Sequence, residues 1–157
     1  MAEADNPNVL VFPPFAALAV LLAAIVLEWL VPLHILPPSF PLWMTLAGVL
    51  LTLASGAVAA LGVQAFMQAG TNVDPRQPAL KITTTGPYRF TRNPMYLGMI
   101  GIQFGLALTF SLDWAIFGGT GLFLVLHHGV VLREETYLTR KFGAPYTGFK
   151  NRTRRWL

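Results

Sequence analysis

The chain has no cysteine and very little charge. Without a thiol, disulfides, thiolate metal sites and a cysteine nucleophile are excluded, and the redox compartment leaves no trace in the composition. Asp, Glu, Lys and Arg together make up 11% of the 157 residues, whereas 54% are hydrophobic. A soluble globule does not have that balance, so the apolar surface needs lipid. Histidine is scarce as well, at three residues. His127 and His128 diverge by about 100° around one helix, and His34 is expected near the opposite membrane face, roughly 25 Å away. No metal-ligand spacing results, and no metal is expected. The opening Met1-Ala-Glu-Ala-Asp-Asn lacks the Lys or Arg that precedes the apolar part of a secretory signal, so the first apolar run is expected to be retained.

What is present is a set of four apolar stretches, near 13–32, 42–66, 95–112 and 114–132. Each is about the length that crosses a hydrocarbon core as a helix, roughly 17 to 25 residues. Pro13-Pro14 suits the opening of the first helix, where early N–H groups have no intrahelical partner, and Pro32 and Pro37-Pro38 prevent its continuation. The second starts after Pro41 and gives way to the turn-like Asn72–Pro75. The third opens at Pro94. Only Ser111-Leu112-Asp113 separates it from the fourth, with Asp113 a candidate N-cap, so a tight antiparallel hairpin is expected. Gly98, Gly101 and Gly105, facing Gly118, Gly119 and Gly121, allow close helix approach. With no repeat or internal boundary, residues 1–157 read as one all-α integral membrane domain with a C-terminal helix after the last span.

All eleven Lys and Arg residues fall between Arg76 and Arg92 or between Arg133 and Arg155. Four crossings put both regions on one side, together with the N-terminus. The positive-inside rule makes that side cytoplasmic, at the plasma or inner membrane if the source is prokaryotic. The net charge of +4 then means attraction to anionic headgroups, and the tail Lys150–Trp156 is expected to rest on the membrane. No aromatic-basic module accompanies the charge, so a nucleic-acid partner is not expected.

Two polar clusters meet at this cytoplasmic side. Arg92-Asn-Pro-Met-Tyr-Leu-Gly98 places a cation and an amide at a helix entrance whose unpaired N–H groups suit a polar ligand. The fourth span returns with His127, His128, Arg133, Glu134 and Glu135. On a continuous α-helix His128 and Glu135 share a face while Glu134 is turned by about 100°, so one carboxylate would face a site and the other solvent. Arg140 and Lys141 read as ordinary surface charges. Glu28 sits near the outer end of the first span beside Trp29, where its side chain can reach the interface.

Taken in order, Gly86-Pro87-Tyr88-Arg89, Arg92-Asn93-Pro94-Met95-Tyr96-Leu97-Gly98, Glu134-Glu135-Thr136-Tyr137-Leu138 and Phe142-Gly143-Ala144-Pro145-Tyr146 resemble the isoprenylcysteine carboxyl methyltransferases and the related phospholipid methyltransferases. The resemblance covers about 86–152. It departs at Asn93, where the isoprenylcysteine enzymes carry His and the phospholipid-methylating relatives tolerate Asn. It implies S-adenosylmethionine as cofactor, in a cytoplasm-facing pocket contacted by Asn93, Pro94, Tyr96, Gly98, His128, Glu134 and Glu135. Glu135 is the first choice for the cofactor's ammonium or ribose. An amine acceptor would lose its proton to Glu134 or His127, whereas a carboxylate acceptor would be positioned by Arg133 or Arg89. The short chain favours a small lipophilic molecule or lipid over a polypeptide as substrate. Two other readings stay open: an NADPH-dependent membrane reductase of the sterol-reductase type, for which further spans are expected, and a non-enzymatic membrane assembly or lipid-binding protein. Nothing in the sequence sets the oligomeric state.

Overall fold

The computed structural model describes residues 5–157. The expectation that the first apolar run is retained rests on Met1–Asn6, of which the first four residues lie outside that range. Among the described residues six α-helical segments account for the fold, and there is no β-strand. They are α1 (Pro13–Leu30), α2 (Leu42–Ala69), α3 (Pro94–Phe110), α4 (Asp113–Leu126), α5 (Leu132–Phe142) and α6 (Ala144–Arg152). A π-helical turn, His127–Val131, joins α4 to α5 in one continuous rod of 30 residues, Asp113–Phe142.

That rod, α1 and α2 are long and apolar enough to cross a membrane, while α3, at 17 residues, is the short member of the bundle. Leu22, Ile25 and Val26 on α1, and Leu46, Leu50 and Leu53 on α2, stand exposed. A continuous apolar exterior of this kind belongs in lipid, and the chain is a membrane protein.

The α2–α3 seam is closed by small residues. A Cβ on Gly98 would lie 2.5 Å from the Ser55 carbonyl oxygen, and one on Gly48 or Gly105 would lie 2.7 Å from the backbone nitrogen of Thr109 or Thr52, respectively. These backbones touch where a side chain would hold them apart, as small-residue membrane interfaces require. On α4, Gly118 and Gly119 meet Val20 and Phe104, whereas Gly121 faces open space.

The two carboxylates of the far end take other roles than expected. Asp113 is the first residue of α4, not its cap, and its carboxylate accepts hydrogen bonds from the backbone N–H groups of Ile35 and Leu36 at 2.9 and 2.7 Å. It thereby ties the α1–α2 connection to the α3–α4 hairpin. Glu28 accepts from the backbone N–H of Trp114 at 3.2 Å, so it turns inward and serves an orphan donor at the start of α4 instead of reaching the interface. A carboxylate in an apolar region gains more from an unpaired N–H than from a distant headgroup.

At the opposite end the N-terminal arm, the α2–α3 connection and the C-terminal segment converge. Leu10 donates to the Gly129 carbonyl, the Ala79 N–H to Tyr137 Oη, and the Arg92 N–H to the Arg154 carbonyl. The tail 150–156 is therefore folded onto the protein and not simply laid on a membrane surface.

Candidate active site

Between these three segments lies a cleft enclosing about 830 Å³ including its open mouth. Its floor is apolar, from Phe66, Met95, Val131 and Phe149, and one wall is the connection from Asn72 to Thr83. The other wall carries Arg92, Asn93, Tyr96, Glu134, Glu135 and Tyr146. The two clusters separated in sequence by the α3–α4 hairpin thus meet in one site.

Pro94 starts α3, which brings Asn93 and Tyr96 to the cleft within the first turn. Pro94 and Gly98 themselves are buried outside the lining, Gly98 against α2. Asn93 is occupied: its Nδ2 donates to the Arg155 carbonyl at 2.9 Å.

Both carboxylates reach the cleft, against the expectation that one would face solvent. The two stay about 100° apart on α5, and the cleft is wide enough to be lined by both. The π-turn wraps one more residue than an α-turn, which shifts the phase of α5 relative to α4 by about one residue's angle, roughly 100°. His128, expected on the face of Glu135, is consequently exposed and outside the lining, while Glu135 is buried. His127 accepts a hydrogen bond at Nδ1 from Trp156 Nε1 at 3.2 Å and stacks on Phe123.

Glu135 is heavily engaged. Oε1 accepts from Arg92 Nη2 and Arg155 Nε, both at 2.8 Å, and Oε2 accepts from Arg155 Nη2 at 2.9 Å. Arg92 Nη1 also donates to the carbonyls of Lys150 and Thr153. Glu135 therefore joins α3 to the C-terminal segment, and its hydrogen bond holds the Arg155 guanidinium even more firmly protonated than usual. Glu134 differs. It accepts from Tyr96 Oη at 2.7 Å and has no ion-pair partner among the described residues, which leaves the carboxyl group without a fixed counter-ion.

Tyr88 and Tyr146 line the same space, and burial pushes both phenols above their ordinary range, so they stay neutral. Arg89 is exposed at the end of the short 3-10 turn Gly86–Arg89, outside the lining. Arg133 donates to the Asn8 carbonyl at 3.0 Å and borders a separate shallow recess. Neither lines the cleft. Sequence reasoning did not single out Thr83, Tyr146 or Arg155 as parts of the site; the Phe-Gly-x-x-Tyr motif pointed to Tyr146, but nothing local marks the other two. Among the described residues there is no cluster of His, Asp or Glu suited to a metal.

A helical membrane protein with a polar, carboxylate-bearing cleft at its basic end is the class that fold and site define. Residues 43–145 match the phospholipid methyltransferase family, and the chain belongs to that family of methyltransferases. An uncharacterized protein of Haemophilus influenzae is 38% identical over 63 residues, which is 40% of this chain and the whole of that relative. No solved structure matches the chain.

Proposed function

We propose that the protein transfers a methyl group from S-adenosylmethionine to a small lipophilic or lipid acceptor at the cytoplasmic face of the membrane. Glu134 carries the reading. A carboxylate bonded to a phenol and lacking a counter-ion among the described residues, near Tyr88 and Tyr146, favours a cationic ligand. The donor's ammonium and sulfonium are such groups, and the apolar floor of Phe66, Met95, Val131 and Phe149 fits a planar base. When bound, the donor supplies an electrophilic methyl group on sulfur, open to in-line attack.

The chain's own contribution is to position and to exclude water. Tyr96 fixes the rotamer of Glu134. Arg92, Glu135 and Arg155 hold the C-terminal segment against the helix entrance, and the 72–83 connection covers the other side. Glu135 acts through this framework as a positioning residue. For an acceptor that must lose a proton, Glu134 is the base at hand; with Arg89 and Arg133 outside the lining, the reading favours an amine over a carboxylate acceptor. The clustering of Lys and Arg at this end supports its cytoplasmic orientation, with the chain acting as a single domain.

Calorimetric binding to folded, detergent-purified protein tests the proposal. S-adenosylmethionine and its demethylated product should bind saturably and NADPH should not. Glu134→Gln should weaken donor binding by about tenfold, the worth of one charge-assisted bond. Binding of NADPH alone would transfer the protein to the reductase reading, and binding of none of the three would overturn the assignment.

A further inference from the structure

Among the described residues, two buried polar atoms of the cleft lining have no hydrogen-bond partner, Thr83 Oγ1 and Arg92 Nε. Thr83 is 5% exposed and the Arg92 side chain 9%. Unpaired groups of this kind are rare in folded proteins and ask for an explanation. A third, Gln103 Oε1, lies on α3 outside the cleft lining.

Arg92 cannot turn its free donor away. Its guanidinium is a rigid planar fork, held at Nη1 by the Lys150 and Thr153 carbonyls and at Nη2 by Glu135. Nε–H is the direction left over. Thr83 opens the run Thr83-Thr84-Thr85, of which the second and third are exposed. Thr83 itself lines the cleft, and its hydroxyl can rotate to donate.

We infer that Thr83 Oγ1 and Arg92 Nε, the two unsatisfied atoms of the cleft lining, serve the anionic group of the bound ligand, a carboxylate or a phosphate. This inference rests on the methyl-transfer reading and adds to it: with Glu134 taking a cationic group, the cleft accommodates a zwitterion. Two zwitterions fit that chemistry, the amino-acid end of the methyl donor and the headgroup of an aminophospholipid. Thr83 is then a binding residue.

The test compares Thr83→Val, which keeps the shape and removes the hydroxyl, with Thr83→Ser, which restores it. Affinities are measured for S-adenosylhomocysteine, for 5′-methylthioadenosine, which lacks the amino-acid end, and for a short-chain phosphatidylethanolamine. Thr83→Val should weaken a carboxylate- or phosphate-bearing probe by about tenfold, leave methylthioadenosine unchanged, and be rescued by Thr83→Ser. Its ligand-free melting temperature should equal or exceed the wild type, because an orphan buried hydroxyl is gone. Loss confined to S-adenosylhomocysteine assigns the subsite to the donor's carboxylate, and loss confined to the phospholipid assigns it to the headgroup phosphate. Unchanged affinity for both, wild-type binding of neither, or an equal loss for methylthioadenosine overturns the inference. If wild type binds the phospholipid but no S-adenosylhomocysteine, the methyl-transfer reading fails while the headgroup arm still decides the subsite.

Discussion

Arg92 and Glu135 form a buried ion pair, Nη2 to Oε1 at 2.8 Å, with each side chain 9% exposed. The pair spans 43 positions of sequence and joins the entrance of α3 to the start of α5. Its geometry is completed by Arg155, on the same carboxylate, and by the carbonyls of Lys150 and Thr153.

Removing one partner leaves the other charge buried and uncompensated. Arg92→Ala or Glu135→Ala should destabilise the protein by roughly 3–5 kcal/mol, read as denaturant unfolding in detergent. Arg155, 38% exposed, is the peripheral member. Arg155→Ala should have a smaller effect, about 1 kcal/mol, and should raise hydrogen exchange in 153–156; an unchanged exchange pattern would show that Glu135 does not hold the tail.

The glycines of the α2–α3 seam should separate cleanly from one that packs against nothing. Gly98→Ala drives a methyl group to 2.5 Å from a backbone oxygen and should lower stability by about 1–3 kcal/mol. Gly121→Ala meets open space and should stabilise by about 0.5–1 kcal/mol through helix propensity. Equal melting temperatures for the two variants would contradict the seam.

Burial raises the phenols of Tyr88 and Tyr146 above the ordinary value of 10.0. The unfolded chain therefore releases these protons first. Their contribution to stability is intact below about pH 10 and is lost as the pH rises above it. Tyr88→Phe and Tyr146→Phe should each make the alkaline fall in melting temperature shallower.

Topology is accessible because the chain has no cysteine of its own. Single cysteines at Gln77 and Ile35 lie at opposite ends of the bundle. In inside-out vesicles a membrane-impermeant maleimide should label the first and spare the second. Labelling of Ile35→Cys alone would reverse the orientation.

Glu28→Gln should leave donor binding intact and lower stability by about 1 kcal/mol, since the group serves the α4 N-terminus far from the cleft. A large loss of binding would place Glu28 in the site.

Helices, their proline-marked starts and the basic end of the bundle were legible in the sequence, because hydropathy, Pro geometry and charge asymmetry are local properties of a chain in lipid. That Gly98 and Gly105 permit close approach was legible for the same reason, since only a missing side chain allows it. Their partner was not: they meet Ser55 and Thr52 of α2, where the glycines of α4 were expected. Phase was not legible either. The π-turn at His127–Val131 changes the phase of α5 relative to α4, so that Glu135 lines the cleft while His128 does not. No residue type demands a π-turn. It follows from packing on both sides of the turn, with Val130 and Val131 in the core and Leu10 bonded to Gly129. The pairing of Glu135 with Arg155, the inward turn of Glu28 and the orphaned Thr83 hydroxyl likewise depend on segments distant in sequence. Composition thus determined where this chain lives and which residues gather at one end, whereas tertiary packing decided which of them face the ligand, because a side chain's direction is set by its helix's neighbours.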